Sequence, residues 1–473
     1  MAGPGHRAPG QPCFGCLWII PQKLPSTSRA GSGGSVQGDA AAGHGPEIPR
    51  CPRRESRHEP RTLTLDARVC YHQAGPMDFA YAASEEAFRA ELTAWLAREL
   101  PAHRATWPAT DDEFTLHPDR AFDACRAWHR RLHAGGWVGI AWPKEYGGRG
   151  ATLVEQMIFQ EEMVRAGAPP GVNTIGLMLA GPAVMEWGTE AQKRRYLPAI
   201  LSADDIWCQG FSEPGAGSDL AALRTRAVLD GGHFRVSGQK VWTSNAHRSQ
   251  WCILLVRTGP EAPKHDGISC LLVDMRTPGI TVRPLVQMTG DAEFNEVFFD
   301  DVLVPEQNRL GPLHGGWKVA ITVLMYERAG LGHQTGLHHF TRLLLELARW
   351  VDHGGHRAGR DPVTRQALAR CWIDAEALRL TGLRALTRRL RGEAPGPEGS
   401  VLKLAFTEAY ARMAETATLV LRDRVQLWRG AAGAPDGGRW AFQSLFARRF
   451  AIAGGTSEIQ KNIIGERVLG LPR

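Results

Sequence analysis

From Ser84 onward apolar residues recur at the period of an α-helix. Phe88, Leu92, Trp95 and Leu96 fall at i, i+4, i+7 and i+8 and so share one face. Ala87 stands where a capping box would need Glu or Gln, so Ser84 opens this helix with only half of that motif. The same spacing predicts helices over 121–133, 153–166, 176–187 and 190–201, joined by Gly/Pro loops. Between about 206 and 312 the texture changes to short β-branched or aromatic runs bounded by Gly, Pro and Asp. These predict strands at 233–236, 251–256, 269–274, 280–285 and 296–302. The helical period returns at Trp317 and continues through 337–351, 362–391 and 400–427. A mainly α chain with a middle β domain follows: a helical domain over 77–205, a β domain over 206–312 and a second helical domain over 313–473.

Residues 1–76 carry no such period. They are rich in Gly, Pro, Ser and Arg and hold nine Lys/Arg against five Asp/Glu, so most of the formal +7 of the 473-residue chain lies there. Asp39, Glu47, Glu55, Glu59 and Asp66 argue against an acid-poor targeting presequence, and the stretch is expected to be a disordered or spurious extension ahead of Met77. Apolar residues make up 43 %, enough for two or three cores. No run approaches the roughly 20 apolar residues of a membrane-spanning helix, which predicts a soluble protein. Nine cysteines without paired metal spacing, apart from Cys13 and Cys16, predict neither a disulfide framework nor a metal site; a reduced, cytoplasmic setting is expected. Basic residues are not interleaved with aromatics, so nucleic acid is not an expected partner.

Three segments offer chemistry. Gln209-Gly210-Phe211-Ser212-Glu213-Pro214-Gly215-Ala216-Gly217-Ser218-Asp219 alternates Gly with small polar residues. Such a loop exposes N–H groups and hydroxyls to an extended polar ligand, or is a plain surface turn. Trp242-Thr243-Ser244 sets a flat apolar plate beside two hydroxyls, as a planar heteroaromatic ring requires, although a Trp in a strand is commonly core. Gly454-Gly455-Thr456-Ser457-Glu458 precedes Ile459/Ile463 and Ile464/Val468. A helix therefore starts near Thr456 or Ser457 with its free N–H groups aimed at whatever the glycines hold, and the same residues also serve as a plain cap.

Together, in this order, the segments resemble the acyl-CoA dehydrogenase family over essentially all of 77–473. Ser212-Glu213-Pro214-Gly215-Ala216-Gly217-Ser218-Asp219 carries one signature, and Gly455-Thr456-Ser457-Glu458-Ile459-Gln460 with Arg467 the other. The resemblance implies an N-terminal helical domain, a β-barrel-like middle domain and a C-terminal four-helix bundle. It also implies an FAD cofactor, an acyl-CoA substrate and α,β-dehydrogenation to the 2-enoyl-CoA in lipid catabolism. It places Gln209, Phe211, Ser212, Trp242, Thr243, Ser244, Thr456 and Glu458 at the FAD, and Ser218 at the pantetheine arm.

The reaction needs a base for the proton next to the thioester carbonyl and donors for the enolate-like oxygen. Many relatives place a Glu immediately before the last Gly-Thr, where this chain has Gly454; another family arrangement puts it before an Arg on the first long C-terminal helix, which implies Glu327, with Arg328 beside the substrate. Helical spacing sets Glu327 at the edge of a stripe of Trp317, Ile321, Leu324 and Leu331, where partial desolvation raises a carboxyl pKa; the plainer reading pairs Glu327 with a basic neighbour. Gly454 is expected to retain a role through its backbone N–H as an oxyanion donor. His356-Arg357-Ala358-Gly359-Arg360 stands for the family segment that reaches a neighbouring subunit's FAD pyrophosphate, so Arg357 or Arg360 is implied there, and Gln426 is implied at a partner's adenosine. A homodimer or homotetramer is implied, or a heteromer with the base in one chain type, with an electron-transferring flavoprotein as acceptor. The rival readings are a flavin monooxygenase or oxidase of the same fold and a non-catalytic partner subunit.

Overall fold

The first helix, α1 (Ala83–Arg104), buries Phe88, Leu92, Trp95 and Leu96, the face that the spacing selects. The computed structural model describes residues 80–106, 118–328, 332–393 and 396–472, with the side chains of 118, 327–328 and 332–335 outside that set. The extension 1–76, Met77 and Leu331 lie outside the described residues. In α2 (Pro118–Ala134) Trp128 meets Trp95 with ring centroids 5.3 Å apart. Trp137 stacks on Phe159 of α3 (Leu153–Ala166), and these indoles form the core of this region. His129 is buried here: its Nε2–H donates to Leu201 O at 3.0 Å, and burial first of all lowers its pKa to about 4. A side chain on Gly171 would press on the opposite ring nitrogen.

The helix expected over 176–187 is interrupted. Gly176–Ala180 form one π-helical turn, followed by α4 (Gly181–Trp187). Pro182 has no N–H for the carbonyl of Met178, and the Trp142 ring occupies the space of a Cβ on Gly181 while its indole N–H donates to Leu177 O at 3.0 Å. Then comes α5 (Glu190–Ser202), capped by Thr189 and Gln192.

The middle region forms one sheet of β1 (Trp207–Gly210), β2 (Arg226–Asp230), β3 (His233–Ser244), β4 (Trp251–Arg257), β5 (Ile268–Asp274), β6 (Ile280–Leu285), β7 (Phe294–Pro305) and β8 (Arg309–Leu310). Its order is β6-β7-β3-β2-β4-β5-β8, with β1 paired in parallel to β4. β1, β2 and β8 are additions to the expected strands, and β3 runs eight residues past the expected end at 236. Both β4 and β5 are buried almost throughout, and Val236, Cys252, Leu254, Leu271, Val273 and Phe299 fill one core.

The chain then continues as α6 (Gly316–Arg328), α7 (Gly332–Trp350), α8 (Pro362–Leu390), α9 (Glu398–Leu421), α10 (Arg439–Phe446) and α11 (Ser457–Ile463). Helices α7, α8 and α9 enclose Leu337, Phe340, Leu344, Leu368, Tyr410 and Met413, with Trp440 and Phe450 closing the core. α9 stops at Leu421, short of the expected 427, because Arg422 adopts φ +52°, which no helix accommodates. Among the described residues no helix is long and apolar enough to cross a membrane, and no cluster of His, Cys, Asp and Glu could hold a metal.

Candidate active site

The loop that follows β1 is pinned from below. Glu213 and Ala216 exchange two backbone hydrogen bonds, each 3.0 Å long, which folds Pro214 and Gly215 into a tight exposed turn. The Glu213 carboxylate accepts from Arg224 N at 2.7 Å, Thr225 N at 2.9 Å and Lys240 Nζ at 2.8 Å. Lys240 itself is 0 % exposed and also donates to Phe211 O at 3.0 Å. Burial alone would push the Glu213 carboxyl up; Lys240 and the backbone donors outweigh it and hold the group below the usual carboxylate range. Burial pulls the Lys240 ammonium down against the same attraction. Phe211 is buried, Gln209 and Ser212 are half-buried, and Ser218 is exposed at the far end of the loop.

Lys240 connects this loop to the second segment. Val241 N donates to Ser212 O at 3.0 Å, and one residue later the β3–β7 register slips between Lys240 and Thr243. At that bulge Trp242 sits at φ +60°, a region bulky residues rarely enter, with 61 % of its surface bare. Its only ring neighbour among the described residues is Phe294, edge-on at 6.0 Å. Thr243 turns inward: it is 1 % exposed, and among the described residues its hydroxyl has no hydrogen-bond partner, while Ser244 is half-buried. Of the expected trio, Trp242 and Ser244 reach the surface and Thr243 faces inward. A bare indole face beside a hydroxyl fits a planar heteroaromatic ring that carries hydrogen-bonding edges.

The third segment is held by residues the sequence reading missed. Gly454 and Gly455 adopt φ +67° and +91°. Lys403 of α9 donates to Gly455 O at 2.7 Å and to Phe450 O at 2.8 Å, while the buried Gln460 amide donates to Gly454 O at 3.0 Å. Thr456 is the N-cap of α11, its hydroxyl accepting from Ile459 N at 3.3 Å; Glu458 is exposed in the first turn. Gln460 closes the signature itself, but Lys403 lies on α9 with no nearby motif, so only the three-dimensional contacts reveal it. Arg449, five residues before Gly454, pairs with Glu293 and lies over the Phe294 ring at 5.0 Å, which joins the C-terminal region to the Trp242 bulge.

Glu327 and Arg328 occupy the last two positions of α6, and their side chains lie outside the described residues. The rest of that helix corrects the expected stripe. Val319, Ala320 and Val323 are fully buried, whereas Ile321 is 41 % exposed, because α6 packs through the former against the π turn, α4 and β5. On that face Trp187 Nε1 donates to the Thr322 hydroxyl at 3.0 Å, and burial, then the charge of Glu186, raises the Tyr326 phenol. Helical spacing aligns position 327 with Gly316, Ala320 and Val323, the inward row.

Arg357, Arg360 and Gln426 are all exposed and lie elsewhere. The turn that carries Arg357 is tied to the C-terminal end of α9, where His353 Nε2 bonds Val420 O at 2.8 Å, and Arg357 itself donates to Trp350 O. Gly455 is tied to Lys403, near the other end of the same helix. At about 1.5 Å of rise per residue, Val420 and Lys403 stand roughly 26 Å apart along the axis.

Profiles of the acyl-CoA dehydrogenase N-terminal, middle and C-terminal domains match residues 82–204, 208–302 and 314–469 in turn. The chain belongs to the acyl-CoA dehydrogenase family. It is therefore an oxidoreductase of a family that uses FAD. Among its relatives, acyl-CoA dehydrogenase IpdE1 of Mycobacterium tuberculosis is 43 % identical over 394 residues, which span 82 % of this chain and 98 % of the relative. Among solved structures, the Tcur3481-Tcur3483 steroid acyl-CoA dehydrogenase superposes with a TM-score of 0.72 at 33 % identity, covering 84 % of this chain and 100 % of that one. The ChsE4-ChsE5 complex from Mycobacterium tuberculosis gives 0.70 at 33 % identity, again over 84 % and 100 %. The three-domain architecture expected from the sequence is that of the family.

Proposed function

We propose that this chain catalyses the α,β-dehydrogenation of an acyl-CoA thioester to the 2-enoyl-CoA, with Glu327 as the base. The observation that carries this reading is the bare Trp242 face, held at a strained bulge beside Ser244 and joined through Glu293 and Arg449 to the Gly454 loop. On this reading Trp242 and Ser244 take the flavin ring, Gln209 at the end of β1 borders it together with Phe211 and Ser212 of the loop, and Thr243 joins it from within. Thr456 and Glu458 meet the cofactor at the start of α11, and Ser218 lies along the pantetheine arm. Bound FAD supplies the hydride acceptor.

Glu327 takes the proton next to the thioester carbonyl, and the N–H of Gly454 donates to the carbonyl oxygen as charge builds there. Helical spacing, which sets position 327 in the row of Gly316, Ala320 and Val323, supports this role. Arg328 is assigned to the substrate side. Domain limits near 205 and 312 follow from where the helical and sheet patterns exchange.

Arg357, Arg360 and Gln426 stand too far along α9 to reach a ring at Trp242 together with Thr456. We assign them to the FAD of a second subunit, in a homo-oligomer or a heteromer; two similar solved structures carry paired names, which favours the heteromer. The steroid label of one of them favours a bulky, ring-bearing acyl group, and an electron-transferring flavoprotein is the assigned acceptor.

The test is anaerobic bleaching of the bound flavin across straight-chain, branched and ring-bearing acyl-CoA thioesters. Bleaching by at least one class is expected in the wild type, with Glu327→Gln at least about 100-fold slower. Unchanged bleaching in Glu327→Gln overturns the base assignment, and oxygen consumption matched to turnover without bleaching favours the monooxygenase or oxidase alternative.

A further inference from the structure

Behind the Trp242 bulge lies a polar group that none of the three motifs contains. Asn295, next to Phe294 on β7, is 0 % exposed. Its amide Nδ2 donates to Thr243 O at 2.9 Å and to Glu293 O at 3.0 Å, while Oδ1 lies 3.0 Å from Nδ1 of His247. Both Nδ2 hydrogens are committed to carbonyls, so Oδ1 is the acceptor and His247 must carry its proton on Nδ1. Glu293 O also accepts from Asn245 N at 2.7 Å, so one carbonyl and one amide grip both sides of Thr243-Ser244-Asn245. Asn245 too is left-handed, at φ +56°. The register slips at Val241 and Trp242 and resumes with Thr243 opposite Asn295 and Ser244 opposite Phe294, and the Asn295 side chain adds its own bond to Thr243 O just past the slip.

We propose that His247 and Asn295 are positioning residues for the cofactor platform: His247 fixes which way the Asn295 amide faces, and the amide holds the Trp242–Ser244 segment in the one conformation that presents the indole and the hydroxyl together. This rests on the reading of that platform as the flavin site. The arrangement also splits labour by depth. Asn295 is inaccessible, whereas His247 is exposed, so the outer residue can be exchanged without opening the core.

The experiment compares wild type, His247→Phe, His247→Gln and Asn295→Asp. His247→Phe removes the donor to Oδ1, and His247→Gln restores a donor. Asn295→Asp keeps an acceptor for His247 but loses both bonds to carbonyls. Two quantities are measured: amide hydrogen exchange of peptides spanning 241–246 in flavin-free protein, and FAD affinity together with the absorption envelope and midpoint potential of the bound flavin. In His247→Phe, exchange is expected to quicken about five-fold and FAD to bind about five-fold more weakly with a shifted spectrum, the melting temperature staying within about 2 °C. His247→Gln is expected to return toward wild type, and Asn295→Asp to exceed His247→Phe in both measures. Wild-type exchange, spectrum and potential in both His247→Phe and Asn295→Asp would overturn the proposal. Should Asn295→Asp fail to fold, His247→Phe and its rescue decide alone. Wild-type protein that binds no FAD would instead overturn the flavin-site reading, while the exchange data still answer whether His247 and Asn295 order the bulge.

Discussion

Trp242 shows how much a single position can be asked to do. A left-handed conformation costs a bulky L-residue about 1–2 kcal/mol, and this one also leaves most of an indole in water. Asn tolerates that conformation and needs no apolar cover. Trp242→Asn is therefore expected to leave the flavin-free protein as stable as wild type or up to about 1 kcal/mol more stable, while weakening FAD binding at least about ten-fold. Urea melts of the apoprotein and a flavin titration check the two halves, which should move in opposite directions. Gly454, at φ +67°, behaves conversely: Gly454→Ala is expected to cost about 1 kcal/mol, seen as a fall in melting temperature of roughly 2–4 °C. The sequence made Trp242 and Gly454 visible because both sit inside recognisable runs. It left Asn295 and Lys403 invisible, since each acts on a motif from an element distant in sequence and shares no local pattern with it.

At the scale of elements, the β1 loop depends on one buried ion pair rather than on its own glycines. A Cβ on Gly215 or Gly217 would meet nothing, so those residues are not required by space. Glu213 and Lys240 are. Glu213→Gln strands a buried ammonium and is expected to cost about 3–5 kcal/mol, and adding Lys240→Met should recover most of the loss. A double-mutant cycle by denaturant unfolding measures the coupling. Because the Glu213 pKa is depressed in the folded state, its contribution is present above the ordinary carboxyl range and disappears as the pH falls through the folded value. Element type was legible wherever apolar spacing ran long, as in α1, α3 and α8. It was misread where a side chain or a backbone angle intervened: Pro182 and Trp142 turn one expected helix into a π turn plus α4, and Arg422 ends α9 early. The outward Ile321 was assigned to a buried stripe because spacing finds a face without saying which of two apolar faces meets the core.

For the whole molecule, acid should act through histidines that burial holds neutral, His129 among them. His129 is buried neutral with a pKa lowered to about 4, against about 6.5 when unfolded, so the unfolded chain binds a proton the native one refuses. Stability is complete above pH 6.5 and falls by up to about 3 kcal/mol as the pH drops to 4. In His129→Gln that part of the decline should vanish, as unfolding free energies measured at pH 7, 5.5 and 4.5 would show.

The span of α9 carries a consequence for genetics as well as for geometry. One end of that helix steadies the loop proposed to border this chain's own FAD, and the other bears residues assigned to a neighbour's. In a homodimer, a chain disabled at Glu327 and one disabled at both Arg357 and Arg360 are each inactive alone. Refolded together in equal amounts, they should regain roughly a quarter of the wild-type sites, because each mixed pair assembles one intact site from two broken chains. A strictly heteromeric enzyme should regain none.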